Sequence, residues 1–209
     1  MARDRFSRSV SSGWGTADLG GSYTHTGTRT AFGVNGSRGT ISLSAGNARD
    51  ALLTGVSARD VDMTVTVRAD KPATGWGQVT SLTARRVSSD TQYRGFLRVG
   101  PTGGVSVGAE RTAGTATRLG QDAVVPGLTA SAGTVLRLRV QTVGANPTTV
   151  RVKAWAGGTA EPASWTFTAT DSTPALQTAG MVGVRTYLSG SATNAPVRFS
   201  LDDLVVTAL

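Results

Sequence analysis

The chain has 209 residues, of which 39% are hydrophobic and none is cysteine, so disulfides and thiolate metal sites are excluded. A chain of this length buries about 70% of the surface its unfolded form would expose, enough for a core without staples. The net charge of +8 would suit nucleic acid, but the arginines are scattered singly and Lys71 and Lys153 are the only lysines, so no nucleic-acid partner is expected.

The N-terminal MARDRFSRSV has no apolar stretch behind its arginines, and no run of about 18 apolar residues occurs anywhere. Neither a Sec-type signal nor a membrane partner is expected. Phe6–Val10 is a short strand candidate. Trp14 lies in Gly-Trp-Gly, between that segment and a turn, and is expected to seal the end of the core. His25, the only histidine, sits in a strand-like segment where a lone imidazole serves structure rather than catalysis. Residues Asn47–Val56 are read as a helical turn or two.

In Asp60–Arg68 the residues Val61, Met63, Val65 and Val67 share one face, and the polar residues share the other, a half-buried strand. Trp76 stands in a second Gly-Trp-Gly, open enough to be a sugar platform. Tyr93–Val99 and Val105–Ala109 flank the turn-rich Gly100–Gly104, and Thr134–Val140 and Thr149–Trp155 flank a second turn around Gly144–Pro147. Two successive hairpins predict antiparallel sheets.

The second hairpin carries the sharpest surface feature. Placing Leu136, Leu138, Val140, Val150, Val152 and Ala154 inward turns Arg137, Arg139, Arg151, Lys153 and Trp155 outward. Four cations and an indole on one face suit stacking on a sugar ring and binding of acidic groups; a solvated face or a subunit interface is the alternative. Further strands are expected over Trp165–Ala169, Met181–Tyr187 and Val197–Leu201, with a single turn over Thr173–Gly180. In the last strand Val197, Phe199 and Leu201 keep one phase while Leu204 and Val206 resume on the other, so a β-bulge is expected at Asp202-Asp203.

About a dozen short strands predict an all-β fold, an antiparallel two-sheet jelly-roll sandwich forming one domain over residues 1–209. Such folds pair first and last strands, so the termini should be neighbours. Asp4 would then approach Asp202 and Asp203, hard oxygen ligands that suit a structural calcium ion; otherwise Asp202 faces water and Asp203 caps the bulge or pairs with an arginine. No other cofactor is expected.

The opening DRFSRSVSSGWGTADLGGSYT, the segment from Val150 to Val197 and the ending FSLDDLVV resemble the concanavalin A-like (LamG-like) jelly-roll domains of actinobacterial secreted proteins and of minor tail proteins of their phages. The pattern W-x-G-G-T-A-E-P-x-x-W from Trp155 to Trp165 and S-G-S-A-T-N-A-P from Ser189 to Pro196 carry the resemblance most specifically.

Catalytic groups are sparse. Glu110 and Glu161 are the only glutamates, about fifty residues apart and both near turns, whereas glycoside hydrolysis needs two carboxylates across one bond. No G-x-S-x-G elbow occurs, and the E-x-D-x-x-E pattern of glucanases with this fold is missing. No catalytic residues are assigned.

The resemblance and the absent export signal imply a non-enzymatic structural component of a phage virion, a minor tail or tail-tip protein. Its expected partners are other virion proteins, copies of itself and host cell-wall glycan. The alternatives are an extracellular carbohydrate-binding module of a bacterial secreted protein and a polysaccharide-active enzyme. For glycan contact the candidates are Trp155, Arg137, Arg139, Arg151, Lys153 and Trp76.

Overall fold

Period-two alternation dominates the chain, and a computed structural model describing residues 1–209 shows it folded into two antiparallel sheets and two single 3-10 turns. In the first sheet, of nine strands, the order is Phe167–Asp171, Thr148–Ala156, Leu136–Val143, Val61–Ala69, Val197–Ala208, Gly39–Leu43, Phe32–Asn35 and Ser9–Val10. Ala2–Asp4 also pairs with Val197–Ala208, so the first and last strands are partners, with Ala2 opposite Val206. The second sheet, of eight, runs Thr115–Arg118, Gly104–Ala113, Thr91–Val99, Gln78–Ser88, Gly180–Leu188, Ala48–Ala58 and Tyr23–His25. Ala123–Thr129 adds to its Gly104–Ala113 strand.

The sheets meet over one cluster of 42 buried hydrophobic residues. Val61, Met63, Val65, Val67, Leu136, Leu138, Val150, Val152, Phe167 and Phe199 are all buried in it, as their common phase requires. The sheets approach closely at Gly95, where a Cβ would lie 2.6 Å from Val140 Cγ1 and 2.9 Å from Val152 Cγ2, so only glycine fits there. Trp14, with no exposed surface, closes one end against Phe6 and Tyr23 in edge-to-face contacts, and its indole N–H donates to the Thr40 carbonyl. His25 is structural: its Nε2 accepts from the Trp14 backbone N–H, and burial draws its pKa below the usual imidazole range.

A second buried clamp ties the loops at another edge. Arg85 is fully buried and donates to the carbonyls of Arg59, Leu176 and Gly144 and to Asp60. Five donors in a rigid fork make arginine suited to gathering several loop acceptors at once.

Three local expectations need correction. Residues Asn47–Val56 are not helical: they lie within the strand Ala48–Ala58, whose buried Asp50, Ala51, Leu52 and Leu53 pair with Gly180–Leu188, so sheet packing overrides the weak helical pattern. Phe6–Val10 is not continuous strand, because Phe6 has φ 52 and only Ser9–Val10 pairs. Glu110 is not at a turn but inside Gly104–Ala113. The bulge at Asp202-Asp203 is present, with a register shift between Asp202 and Val205 and Asp203 at φ 49.

Candidate functional site

The outward side of the second hairpin has the predicted phase but not the predicted openness. Arg137 lies opposite Trp155, and Arg139 opposite Lys153. Yet Trp155 is only 6% exposed and Lys153 only 4%. Residues 157–166 fold back over Lys153 and Arg139, and the Arg137 guanidinium lies over the Trp155 ring. Lys153 Nζ donates to the Pro162 carbonyl at 2.6 Å and pairs with Glu161 at 2.7 Å. Arg139 joins Glu161 to Asp62, and Lys153 lies 4.7 Å from the Trp165 ring centroid. Arg137 is 5.9 Å from the Trp155 ring and 3.9 Å from Asp203, while Arg151 donates to Gln141. These cations already have partners. The face is a structural network closed by its own chain, and Trp155 is not a sugar platform in this arrangement.

The proposed calcium ligands do not fit a cation. Asp4 is fully buried, and both its oxygens accept from Arg8, at 2.7 and 2.8 Å, with the Phe6 N–H adding a third bond. Asp203 faces Arg137 instead. Burial raises the Asp202 carboxyl above its usual range, and the neighbouring charges of Asp203 and Asp4 add to this. No group of three acidic or histidine side chains converges as a metal site. A carboxylate neutralised by a guanidinium gives up the charge that calcium requires.

The outer face of the eight-stranded sheet carries the alternative. A cavity of about 180 Å³ opens there, lined by Trp76, Val79, Ser81, Arg94, Phe96, Glu110, Arg118, Arg185 and Tyr187. Antiparallel register builds it: Arg185 lies opposite Ser81, Ser81 opposite Phe96, and one row on, Thr83 opposite Arg94 and Arg94 opposite Glu110. Side chains two apart on adjacent strands thus form a continuous outer surface.

Trp76 stands at the rim, 45% exposed, with the Tyr187 ring centroid 6.3 Å away and the Arg98 guanidinium 4.8 Å from its ring centroid. Its loop is held rigidly. The Trp76 backbone N–H donates to Ser189 Oγ and Ser191 Oγ, while Gly75 and Gly77 have positive φ, and a Cβ at either would collide with Ser191 or the Val99 carbonyl. The glycines flanking Trp76 therefore permit the close backbone approach that presents the indole.

Below the rim the polar groups are interlocked. Glu110 accepts from Arg94 at 2.6 Å and from Arg118 at 3.2 Å, and the Arg118 guanidinium lies 4.1 Å from the Phe96 ring centroid. Arg118 also reaches Asp122 at 3.8 Å, so a guanidinium sits between these two carboxylates. Asp50 pairs with Arg185 at 2.7 Å and with Arg86 at 4.0 Å. Burial and the nearby Arg185 draw the Arg94 pKa below the usual guanidinium range. Asp50 stands four strands from Glu110, about 19 Å at the usual strand spacing, beyond the 5–9.5 Å that separates paired glycosidase carboxylates.

Of the sequence candidates the structure brings together only the hairpin set, under its covering segment, and it places Trp76 apart on the other sheet. Sequence reasoning missed Arg94, Arg98, Arg185 and Tyr187. Their signal was the polar phase of Thr91–Val99 and Gly180–Leu188, which becomes a site only once register is known.

No family model and no curated protein matches the chain. Among solved structures, beta-glucanase from Bacillus licheniformis aligns with TM-score 0.61 at 13% identity, covering 99% of this chain and 97% of that one. The legume lectin-like domain from Entamoeba histolytica aligns with TM-score 0.58 at 8% identity, covering 90% of each chain. The GH43 BlXynB protein from Bacillus licheniformis aligns with TM-score 0.63 at 11% identity over 100% of this chain, which spans only 39% of that protein's length. At these identities the likeness concerns architecture: the fold is the antiparallel jelly roll shared with legume lectin-like and beta-glucanase structures.

Proposed function

We propose that this protein is a non-enzymatic glycan-recognition jelly roll that holds its ligand on the outer face of the eight-stranded sheet. The observation that carries this reading is Trp76, a large indole left 45% exposed on a rigid loop beside Tyr187, at the mouth of a polar groove. A flat aromatic gives a sugar ring wide contact at low ordering cost, and polar groups beside it fix orientation. The architecture shared with a lectin-like domain and a beta-glucanase supports a glycan as the ligand class. Binding rather than cleavage is favoured because the groove's carboxylates are already engaged by guanidiniums and the nearest pair has one between them.

The wild-type protein should be retained by immobilised polysaccharide without releasing new reducing ends. Release of sugar products would convert the reading to that of an enzyme, and retention by none of a broad polysaccharide set would remove it.

The setting we propose is an actinobacteriophage tail or tail tip, where copies of this chain and other virion proteins would present the face to the host wall. The W-x-G-G-T-A-E-P-x-x-W and S-G-S-A-T-N-A-P segments support that setting. Mass spectrometry of purified particles should detect the protein, and its absence there would leave an extracellular carbohydrate-binding module as the better setting.

A further inference from the structure

We infer that the ligand of this face is an acidic polysaccharide whose uronate carboxylate is received by Arg98 while a sugar ring rests against Trp76. This rests on the glycan-recognition reading and specifies the glycan's chemistry.

Charge is the first support. Five guanidiniums, of Arg86, Arg94, Arg98, Arg118 and Arg185, meet three carboxylates, of Asp50, Glu110 and Asp122, on and beside this groove. Internal pairing leaves an excess of two positive charges. A neutral glycan would leave that excess uncompensated, whereas an anionic one completes it.

The second support is the position of the surplus. Arg86, Arg94, Arg118 and Arg185 each have a carboxylate partner, but Arg98 has none; its one acceptor is the Trp76 carbonyl at 3.1 Å. The Arg98 guanidinium is therefore the cation of this face left without an anion, and a ligand carboxylate would supply one.

Geometry selects carboxylate on a ring over phosphate on an open chain. The guanidinium carbon of Arg98 lies over one face of the Trp76 ring, 4.8 Å from its centroid, so a sugar ring resting on the remaining exposed indole surface has the cation beside it. A uronic acid carries its carboxylate directly on a pyranose ring, one face of which is apolar enough to stack. A polyol phosphate has no such ring. The planar fork of arginine then matches the planar carboxylate in two parallel hydrogen bonds.

The test uses the whole chain and three probes: polygalacturonate, its fully methyl-esterified form, and poly(glycerol phosphate). Polygalacturonate should bind at least tenfold more tightly than the ester, and Arg98→Gln should weaken it about tenfold, the loss expected for one charged hydrogen-bonded contact. Arg98→Lys should restore part of that loss, and far-ultraviolet circular dichroism should show both variants folded. Equal affinity for polygalacturonate and its ester, with Trp76→Ala abolishing both, would overturn the acidic preference and leave glycan recognition standing. Poly(glycerol phosphate) binding as tightly as polygalacturonate would overturn the uronate assignment. Failure to bind any of the three, together with failure of neutral β-glucans, would overturn the glycan reading itself.

Discussion

At the scale of residues, exposure separates two tryptophans that look alike on paper. Trp155 lies in a strand among cations but is 6% exposed, while Trp76 lies between glycines and is 45% exposed. Beside Trp155, Glu161 holds residues 157–166 over the sheet through Arg139 and Lys153. Burial would raise the Glu161 pKa, but hydrogen bonds and charge from Lys153 and Arg139 outweigh it and hold the carboxyl below its usual range. A carboxyl with a depressed folded pKa contributes stability that is complete above its unfolded value, about 4.3, and is lost as pH falls through the folded value. Acidification from pH 6 toward pH 3 should therefore loosen this segment, with rising quenching of Trp165 fluorescence by an added neutral quencher. Glu161→Gln should show raised quenching already at pH 6. A wild-type signal unchanged across that range would show that Glu161 does not hold the segment closed.

At the scale of elements, strands and turns were legible and coverage was not. The inward phase of Leu136, Leu138, Val150 and Val152 could be read directly, because a half-buried strand must place alternate residues on opposite faces. The bulge at Asp202-Asp203 followed from the same rule, since a switch of phase within one strand requires an extra residue. What period two cannot reveal is which loop lies over an outer face. Residues 157–166 contain Gly157, Gly158, Pro162 and two partly exposed aromatic and acidic groups, a composition equally suited to an open turn. Asn47–Val56 was misread for a related reason: Asn47-Ala48-Arg49-Asp50-Ala51-Leu52-Leu53 alternates poorly because Ala51, Leu52 and Leu53 are all buried, two against the core and Leu52 on the outer side. The groove was illegible as a site because residues 76, 94, 110 and 185 come from four segments that only cross-strand register brings together.

At the scale of the molecule, two sheets share one core but present unlike outer faces. The nine-stranded sheet closes its outer charges in Arg139, Asp62, Glu161 and Lys153 under its own chain. The eight-stranded sheet leaves a groove with an exposed indole and a guanidinium lacking a carboxylate partner. The four charges closed in on one side sum to zero, so they add nothing to the net charge of +8, whereas the groove side carries part of that excess. The measurement that separates the two faces is an affinity titration of wild type, Trp76→Ala and Trp155→Ala against the same polysaccharide, with thermal melts confirming that each variant is folded. Loss of one exposed stacking aromatic removes about 1–3 kcal/mol, or roughly tenfold to a hundredfold in affinity. The expected result is that loss for Trp76→Ala, with folded Trp155→Ala binding as wild type does. Full affinity in Trp76→Ala, with binding lost in folded Trp155→Ala, would contradict the account and return the site to the opposite sheet.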